Sequence, residues 1–263
     1  MELNEPFRGG GSAGDSARAA EYLEGVSSHP AVRAYKAVTF DLTLLDAPSS
    51  VLDVGCGLGD DVRALLELAP NGTRAVGVEI NPDFLAEARR RGTEAGRLDF
   101  VASEPEGSLP FGAGEFGAVR SDRVLQHLDE PGALIDEMCR VASPGGRLVM
   151  SEPDWAALSI SGLDAESQAI VTQLASRSFA SPTVARELEA MLEERGLIDV
   201  NAQRNSFTIT SLDEAQILLS LDELLQGSGA PQAARMLAAL AELDRAGQLE
   251  IEMVGYIATG RMP

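Results

Sequence analysis

Residues 51–61 read Val-Leu-Asp-Val-Gly-Cys-Gly-Leu-Gly-Asp-Asp, and this stretch decides the fold. The largely apolar run at 51–54 is typical of a strand that is buried on both faces. Glycines at positions 55, 57 and 59 then break the strand and lead into a helix that begins at the two aspartates. A strand, a glycine-rich turn and a helix in this order are typical of folds that hold a nucleoside against the backbone of the turn.

The alternation of strands and helices continues beyond this turn. Short apolar runs at 74–78, 98–101, 117–121 and 147–151 are separated by helical patterns. This spacing predicts stacked βαβ units and a mostly parallel sheet. Helical patterns at 19–45 and 212–246 predict helices before the core and a helical cap between the last two strands, which are expected at 199–210 and 250–259.

Composition excludes several classes of protein. Lys and Arg total 21 against 41 Asp and Glu, so the net charge is −20, and a field of this sign repels nucleic acids and anionic membrane surfaces. Two cysteines and two histidines are too few for a disulfide framework or a zinc site. No stretch is apolar enough for an export signal or a membrane span. We therefore expect a cytoplasmic protein without a metal.

The charges around the turn narrow the choice of nucleoside ligand. Glu79 lies 20 residues past Gly59, at the end of the next predicted strand, where it can accept both ribose hydroxyls. Asp60 and Asp61 occupy the first turn of the following helix and would repel a pyrophosphate there. This pattern favours a cofactor without phosphates, such as S-adenosylmethionine, whose cationic tail suits a carboxylate such as Asp53.

Several ordered segments carry a family resemblance. They are VLDVGCGLGDD (51–61), GVEINPDFLAEARRR (77–91), LPF (109–111), VRSDRVLQHLDEP (119–131), RVASPGGRLVMSEPDW (140–155) and GYIATGRMP (255–263). Together they resemble a class I S-adenosylmethionine-dependent methyltransferase of the ubiquinone/menaquinone C-methyltransferase-like (methyltransferase type 11) group. The resemblance covers 20–263.

The resemblance implies an α/β fold with a Rossmann-like, seven-stranded, mostly parallel sheet whose last strand is antiparallel. It divides the chain into a flexible arm over 1–18 and a single methyltransferase domain over 19–263. Within that domain the cofactor-binding core is expected at 49–155, and the helical substrate cap at 156–195 and 211–247.

Carried onto this sequence, the resemblance places the cofactor pocket in the glycine-rich turn, at the ends of the following strands and in the first helix. The residues are Tyr22, Asp53, Gly55, Gly57, Gly59, Glu79, Ile80, Ser103, Glu104 and Ser121. Glu104 stands where many relatives have an aspartate near the adenine amine, and Ser121 is expected beside the methionine part of the cofactor. Ala185-Arg186-Glu187-Leu188 departs from the Gly-Arg-x-Leu step of the family on the substrate side.

The acceptor side is predicted around the fourth and fifth strands. Glu152, Asp154 and Trp155 follow the fifth strand, where pockets form in open α/β sheets. His127 is predicted to contact the substrate and to act as a general base, because the ordinary pKa of imidazole lies near neutrality. The alternatives are that His127 orders its loop, that Asp154 caps a helix and that Tyr22 is a packing residue. Lys36 is expected at a solvated position.

Methyl transfer to an oxygen or carbon of a small, largely apolar metabolite, in specialised or quinone-type metabolism, is the leading function. One alternative is an enzyme that keeps the cofactor but catalyses a non-methylating reaction such as a cyclisation. Another is a non-catalytic binding module, and an NAD-dependent reductase is disfavoured by Asp60 and Asp61. The expected partner is the small-molecule acceptor, and a homodimer is compatible with the sequence.

Overall fold

The computed structural model describes residues 5–94, 96–103, 108–227 and 229–263. The strands are β1 (Ser50–Val54), β2 (Arg74–Glu79), β3 (Leu98–Ala102), β4 (Phe116–Asp122), β5 (Ala142–Pro153), β6 (Ser159–Ile160), β7 (Ile198–Ile209) and β8 (Ile251–Arg261). The α-helices are α1 (Ala13–Ser28), α2 (Pro30–Leu44), α3 (Asp60–Leu68), α4 (Pro82–Arg90), α5 (Pro131–Val141), α6 (Ala165–Arg177), α7 (Leu188–Glu194), α8 (Leu212–Leu219), α9 (Leu221–Gln226) and α10 (Ala230–Arg245). Short 3-10 helices lie at Pro6–Arg8, Leu125–His127, Trp155–Ala157 and Val184–Glu187.

The strands form one sheet in the order β3-β2-β1-β4-β5-β8. Strands β1 to β5 pair in parallel, and β8 runs antiparallel to β5. Strand β7 pairs with one edge of β8. The two-residue strand β6 pairs with the start of β8, on the same edge as β5. The α/β fold class, the mostly parallel sheet and the antiparallel last strand are confirmed. The sheet has eight strands rather than seven, because β6 is too short to leave a sequence pattern.

The N-terminal residues pack against the core within the predicted flexible arm. Helix α1 begins at Ala13 because Ser12 and Asp15 form a capping box, in which each side chain accepts the backbone N–H of the other residue. Before it, the Asn81 amide donates to the Pro6 carbonyl at 2.8 Å, and the Phe7 ring lies 5.9 Å from that of Phe84. From Pro6 onward, the expectation of a flexible arm is therefore corrected.

Three helices stand between β7 and β8, where the cap was predicted. The single helical pattern over 212–225 is divided into α8 and α9, because Ser220 has a left-handed backbone with φ +48°. Buried side chains of this cap, such as Leu221 and Leu240, share one apolar cluster with Trp155 and with Val171 of α6. This packing holds the cap over the carboxyl ends of the strands. Within the described residues, no helix is both long enough and apolar enough to cross a membrane.

Candidate active site

A cavity of about 540 Å³ lies between the carboxyl ends of the strands and the cap helices. Its walls come from the turn after β1, the ends of β2 and β5, the loop after β4, helix α1 and the cap. Ligands of open α/β sheets bind at this edge, because loops from several strands meet there. The side chains of this cavity are therefore the candidates for binding and chemistry.

The glycine-rich turn brings backbone to the cavity wall at two of its three glycines. Gly55 and Gly57 line the cavity and have left-handed backbones with φ +70° and +54°. A Cβ atom on Gly55 would lie 2.4 Å from a methyl group of Val124, so only glycine lets this turn and the loop after β4 approach. Gly59 does not line the cavity, which corrects its assignment to the cofactor. It precedes α3 with φ +79°, and a Cβ there would lie 2.6 Å from the Phe100 ring.

Glu79 lines the cavity at the end of β2 and is buried. Its Oε2 accepts the N–H of Gly57 at 2.8 Å, and its Oε1 accepts the N–H groups of Ile80 and Asn81 at 2.8 Å each. Burial raises the pKa of this carboxyl, and the three N–H donors oppose that rise. A carboxylate has about four lone-pair positions, so about one remains, on Oε2. The prediction of two ribose hydroxyls on Glu79 is therefore reduced to one.

Two other predicted cofactor residues line the same cavity, and one lies outside the description. Ile80 and Ser103 are on the cavity wall near Glu79. Glu104 lies outside the described residues.

Asp53 and Ser121 do not line the large cavity. Asp53 on β1 is the register partner of Arg120 on β4, so both side chains point to the same face of the sheet, and Arg120 Nη1 lies 2.8 Å from Asp53 Oδ1. Side chains alternate along a strand, so Ser121 points to the opposite face, where it is 1% exposed. Asp53 lines the smaller pocket that adjoins the cavity, and Ser121 lines neither space, so their assignment to the cofactor stays a prediction.

A buried charge cluster joins α2 to the start of α3 and the end of β4. Lys36 Nζ lies 2.8 Å from both carboxylate oxygens of Asp61 and 3.4 Å from Asp122. Arg120 lies 3.1 Å from Asp61. Burial alone would raise the pKa of Asp61, but Lys36 and Arg120 lower it to about 2. Lys36 is only 8% exposed, so the expectation of a solvated lysine is wrong.

The charge cluster also changes the argument about the cofactor. Asp61 is neutralised by Lys36 and Arg120, and Asp60 pairs with Arg91 at 3.1 Å. The repulsion of phosphate that the sequence predicted from these two aspartates is therefore offset by cations. The choice of cofactor has to be supported by other observations.

The loop after β4 is held by Glu152, at the end of β5. The Glu152 carboxylate accepts the N–H groups of Val124 and Leu125 at 2.8 Å each and that of Gln126 at 3.3 Å. Burial raises the pKa of Glu152 to about 8, against the effect of these three donors. Glu152 lines the cavity, as predicted for a substrate contact, but three of its lone-pair positions fix the loop.

Hydrogen bonds around Gln126 set the protonation of His127. Trp155 Nε1 can only donate, and it donates to Gln126 Oε1 at 2.6 Å. The Gln126 amide nitrogen therefore donates to the carbonyl of Arg123 and to Nε2 of His127, both at 3.1 Å. His127 Nε2 is consequently an acceptor, and the ring proton is on Nδ1. This Nδ1 is buried and has no hydrogen-bond partner within the described residues.

His127 lines the cavity but is not arranged as a general base. Its ring stacks on Phe7, with centroids 5.1 Å apart and planes at 19°. Burial lowers the pKa of His127 to about 3, and the charges of Arg123 and Arg8 act in the same direction. The basic lone pair on Nε2 is already used by Gln126. The predicted role of His127 as a general base is therefore corrected to that of a neutral N–H donor that orders its loop.

The stability of the protein should report this low pKa. The unfolded chain binds a proton near the ordinary histidine value of 6.5, whereas folded His127 does not until about pH 3. Stability contributed by neutral His127 is thus present above pH 6.5 and is lost as the pH falls toward 3. We expect the stability of wild type, relative to His127→Phe, to fall over this range in urea titrations. A difference that stays constant with pH would contradict the buried, neutral imidazole.

The wall toward the cap is aromatic. Trp155 lines the cavity, as predicted, and stacks on Phe179 with ring centroids 4.4 Å apart. Tyr22 also lines it and donates to the Leu218 carbonyl at 3.3 Å, which joins α1 to the cap. Asp154 is buried behind this wall with its carboxylate 2.5 Å from Arg186. Asp154 makes no cavity contact and no side-chain helix cap, so its predicted substrate role is corrected.

The structure adds cavity residues that the sequence did not predict. They are Phe7, Tyr35, Asp122, Arg123 and Phe179. Tyr35 donates to Asp122 at 3.3 Å, across 87 positions of sequence. No local motif marks such pairs, since they form only when α2 packs beside β4.

Comparisons with known proteins identify a methyltransferase domain in the core of the chain. Residues 52–150 match the sequence model of the family described as "Methyltransferase domain". Over 113 residues the chain is 39% identical to a demethylmenaquinone methyltransferase of Thermus thermophilus, covering 43% of this chain and 50% of that protein. Residues 52–150 therefore form a methyltransferase domain. This confirms the resemblance drawn from the sequence.

Further relatives extend the match. An uncharacterized 37.1 kDa protein in transposon TN4556 of Streptomyces fradiae is 32% identical over 176 residues, which are 66% of this chain and 51% of that one. The chain spans about half the length of these two curated relatives. Among solved structures, a putative methyltransferase from Bacillus halodurans has a TM-score of 0.61 at 18% identity, covering 88% of this chain and 99% of that one. This likeness supports the family fold.

Proposed function

We propose that this chain binds S-adenosylmethionine in the 540 Å³ cavity and transfers its methyl group to an oxygen or carbon of a small, largely apolar metabolite. The observation that carries the proposal is the Glu79 carboxylate, held by three N–H groups beside the Gly57 backbone and facing this cavity. A ribose hydroxyl of a nucleoside can donate to the remaining lone pair of Glu79, and the ribose ring can then lie against the glycine-rich turn. The match of residues 52–150 to a methyltransferase domain supports the choice of cofactor.

The charges of the site fit this cofactor. A smaller pocket of about 60 Å³ adjoins the main cavity and shares Gly55, Gly57 and Asp122 with it. Asp61 also lines it. Four aspartates and three cationic side chains line this pocket, so one negative charge is left over for the ammonium and sulfonium groups of S-adenosylmethionine, which supplies an electrophilic methyl group when bound. Asp53, which lines this smaller pocket and not the main one, is kept in the proposal only as a charge near that tail.

The residues of the cavity favour rate enhancement by positioning. Neutral His127 offers an N–H donor, and Trp155 and Phe179 supply flat apolar walls under the cap. Such walls exclude water and orient a reacting atom, and in-line displacement gains greatly from orientation alone. We therefore expect an acceptor that ionises readily by itself, such as a phenol, an enol or an activated carbon.

Relatives support a quinone-type acceptor. Relatives include a demethylmenaquinone methyltransferase and, at 33% identity over 102 residues, a ubiquinone biosynthesis O-methyltransferase of Xylella fastidiosa. The proposal keeps the core at 49–155 for the cofactor and the helical regions 156–195 and 211–247 for the acceptor. It also keeps a cytoplasmic location, and a homodimer stays a prediction.

A second candidate is a non-methylating reaction on the same scaffold. The [4+2]-cyclase SpnF has a TM-score of 0.55 to this chain at 22% identity, covering 88% of this chain and 82% of that one. None of His127, Glu152 and Glu79 is arranged as a general base. This fits methyl transfer by positioning, and it equally fits a cyclisation in which the cavity only holds the substrate in a reactive shape. A non-catalytic module would bind the cofactor without turning over an acceptor, which the experiment below detects.

Label transfer separates these functions. Purified protein is incubated with S-adenosylmethionine carrying a labelled methyl group and with a set of quinols, phenols and enols. Methyl transfer predicts a labelled product. Its rate should follow the ionisation of the acceptor, and the pH–rate profile should show no step between pH 6 and 7 from a titrating histidine. Unlabelled product would favour the cyclase, and cofactor binding without turnover of any acceptor would contradict the proposed activity.

A further inference from the structure

We infer that Arg123 is the anion-binding residue of the cavity and receives a carboxylate or another oxyanion of a bound ligand. The inference rests on the proposed function only for the identity of that ligand. Arg123 follows β4 and lines both the main cavity and the smaller adjoining pocket. It therefore stands where the two spaces meet.

Arg123 lacks the partners that the other cavity arginines have. Its Nε is buried without a hydrogen-bond partner, and no carboxylate of the described residues lies within ion-pair distance of its guanidinium. Arg8 pairs with Asp129 and Arg18 with Asp15 on the same cavity wall. Arg123 as a whole is only half-buried, and although burial lowers the pKa of its guanidinium, the charges of Asp122 and Asp61 help to raise it, so it stays charged. An anionic ligand in the cavity would give the buried Nε and the open side of this guanidinium a hydrogen-bonding partner.

The nearby carboxylates are already bound to other groups. Asp122 accepts from Tyr35 at 3.3 Å and pairs with Lys36 at 3.4 Å, and Arg120 lies 3.9 Å from it. Glu152 accepts three backbone N–H groups. The planar donor fork of a guanidinium matches a carboxylate from a ligand, which can be bound through two parallel hydrogen bonds.

The backbone of Arg123 supports a functional role. Arg123 has φ +59°, a left-handed conformation that is strained for any residue with a Cβ. The strain is maintained by its N–H, which donates to Ser151 at 2.8 Å, and by its carbonyl, which accepts from Gln126 at 3.1 Å. Strained non-glycine residues cluster at ligand sites. If packing alone selected this position, glycine would fit it better.

The oxyanion has two sources in a site of this kind: the carboxylate of the cofactor and an acid group on the acceptor. Two matched probe pairs separate them. S-adenosylhomocysteine is compared with 5′-methylthioadenosine, which lacks the amino-acid tail. The planar acid 4-hydroxybenzoate is compared with 4-hydroxybenzamide, which is neutral.

The variants are Arg123→Gln, Arg123→Lys and Arg123→Gly, and the control is Arg204→Gln. Arg204 carries the same charge on exposed β7 and pairs with Glu252, outside the cavity lining. Arg123→Gln is expected to weaken binding of the carboxylate member of one pair by about 10- to 100-fold, and of its neutral partner by less than about twofold. The pair that responds identifies the source. Arg123→Lys should recover part of the loss, because it keeps the charge without the fork.

Thermal melts provide the second readout. Arg123→Gly relieves the left-handed strain and removes an unpaired cation, so its Tm should equal or exceed that of wild type while carboxylate binding is lost. A merely structural arginine would lower the Tm instead. Equal weakening of all four probes, unchanged binding of all four, or no preference of wild type for either carboxylate would overturn the inference. If neither adenosine compound binds wild type, the proposed function fails, and the benzoate pair still decides the role of Arg123.

Discussion

Replacing Glu79 by alanine is expected to weaken S-adenosylhomocysteine binding by at least about 10- to 100-fold, because a ribose hydroxyl loses a charged acceptor. The turn at Gly57 also loses its anchor, since three backbone N–H groups would be left without a partner. Each unsatisfied buried donor costs roughly 1–3 kcal/mol, so the free energy of unfolding should fall as well. Calorimetric titration measures the first effect and urea denaturation the second.

Two controls make the Glu79 result specific. Glu67→Ala removes a carboxylate from the exposed side of α3, and its affinity and stability should match wild type. Glu79→Gln keeps one acceptor oxygen for part of the backbone clamp, and it should fall between wild type and Glu79→Ala. A folded Glu79→Ala protein that binds S-adenosylhomocysteine like Glu67→Ala would remove Glu79 from the cofactor site.

Replacing Lys36 by methionine is expected to lower the free energy of unfolding by about 3–5 kcal/mol, the usual cost of breaking a buried ion pair on one side. Methionine keeps most of the volume of the side chain but leaves Asp61 and Asp122 without their shared ammonium. The double variant Lys36→Met/Asp61→Asn also removes the charge of Asp61, and it should recover part of the lost free energy of unfolding. Such recovery is the signature of direct coupling in a double-mutant cycle.

Arg33→Met is the matched control for Lys36. Arg33 lies three residues earlier on α2 and is exposed, so loss of its charge should change stability little. If Lys36→Met were as stable as Arg33→Met, the buried charge cluster would not be what joins α2 to α3. Loss of S-adenosylhomocysteine affinity in Lys36→Met would further indicate that the cluster positions the glycine-rich turn.

The fold and the backbone part of the site are readable in the sequence because they depend on local patterns. An apolar run followed by spaced glycines predicts β1 and its turn, and an acidic residue at the end of the next run predicts Glu79. The pocket that a strand residue faces could not be predicted in this way. Asp53 and Ser121 lie on short buried strands, where both faces are apolar and no alternation shows which way a side chain points.

Roles that depend on distant partners could not be predicted. From the sequence, His127 was predicted to be a base. Its tautomer, however, depends on a hydrogen bond from Gln126, whose amide is oriented in turn by Trp155, 28 positions after His127. Lys36 reads as a solvated residue because its carboxylate partners belong to α3 and β4. Arg123 was not singled out, because its importance lies in a strained backbone and an unpaired guanidinium, which only the folded chain reveals.

Calorimetric titration of the wild-type protein with S-adenosylhomocysteine, and separately with NAD, tests the central claim most directly. Because the methyltransferase domain supports S-adenosylmethionine as the cofactor at Gly57 and Glu79, we expect a saturable one-to-one isotherm with S-adenosylhomocysteine and no measurable heat of binding with NAD. An isotherm with NAD, or none with S-adenosylhomocysteine at millimolar concentration, would contradict the proposed cofactor and the function built on it.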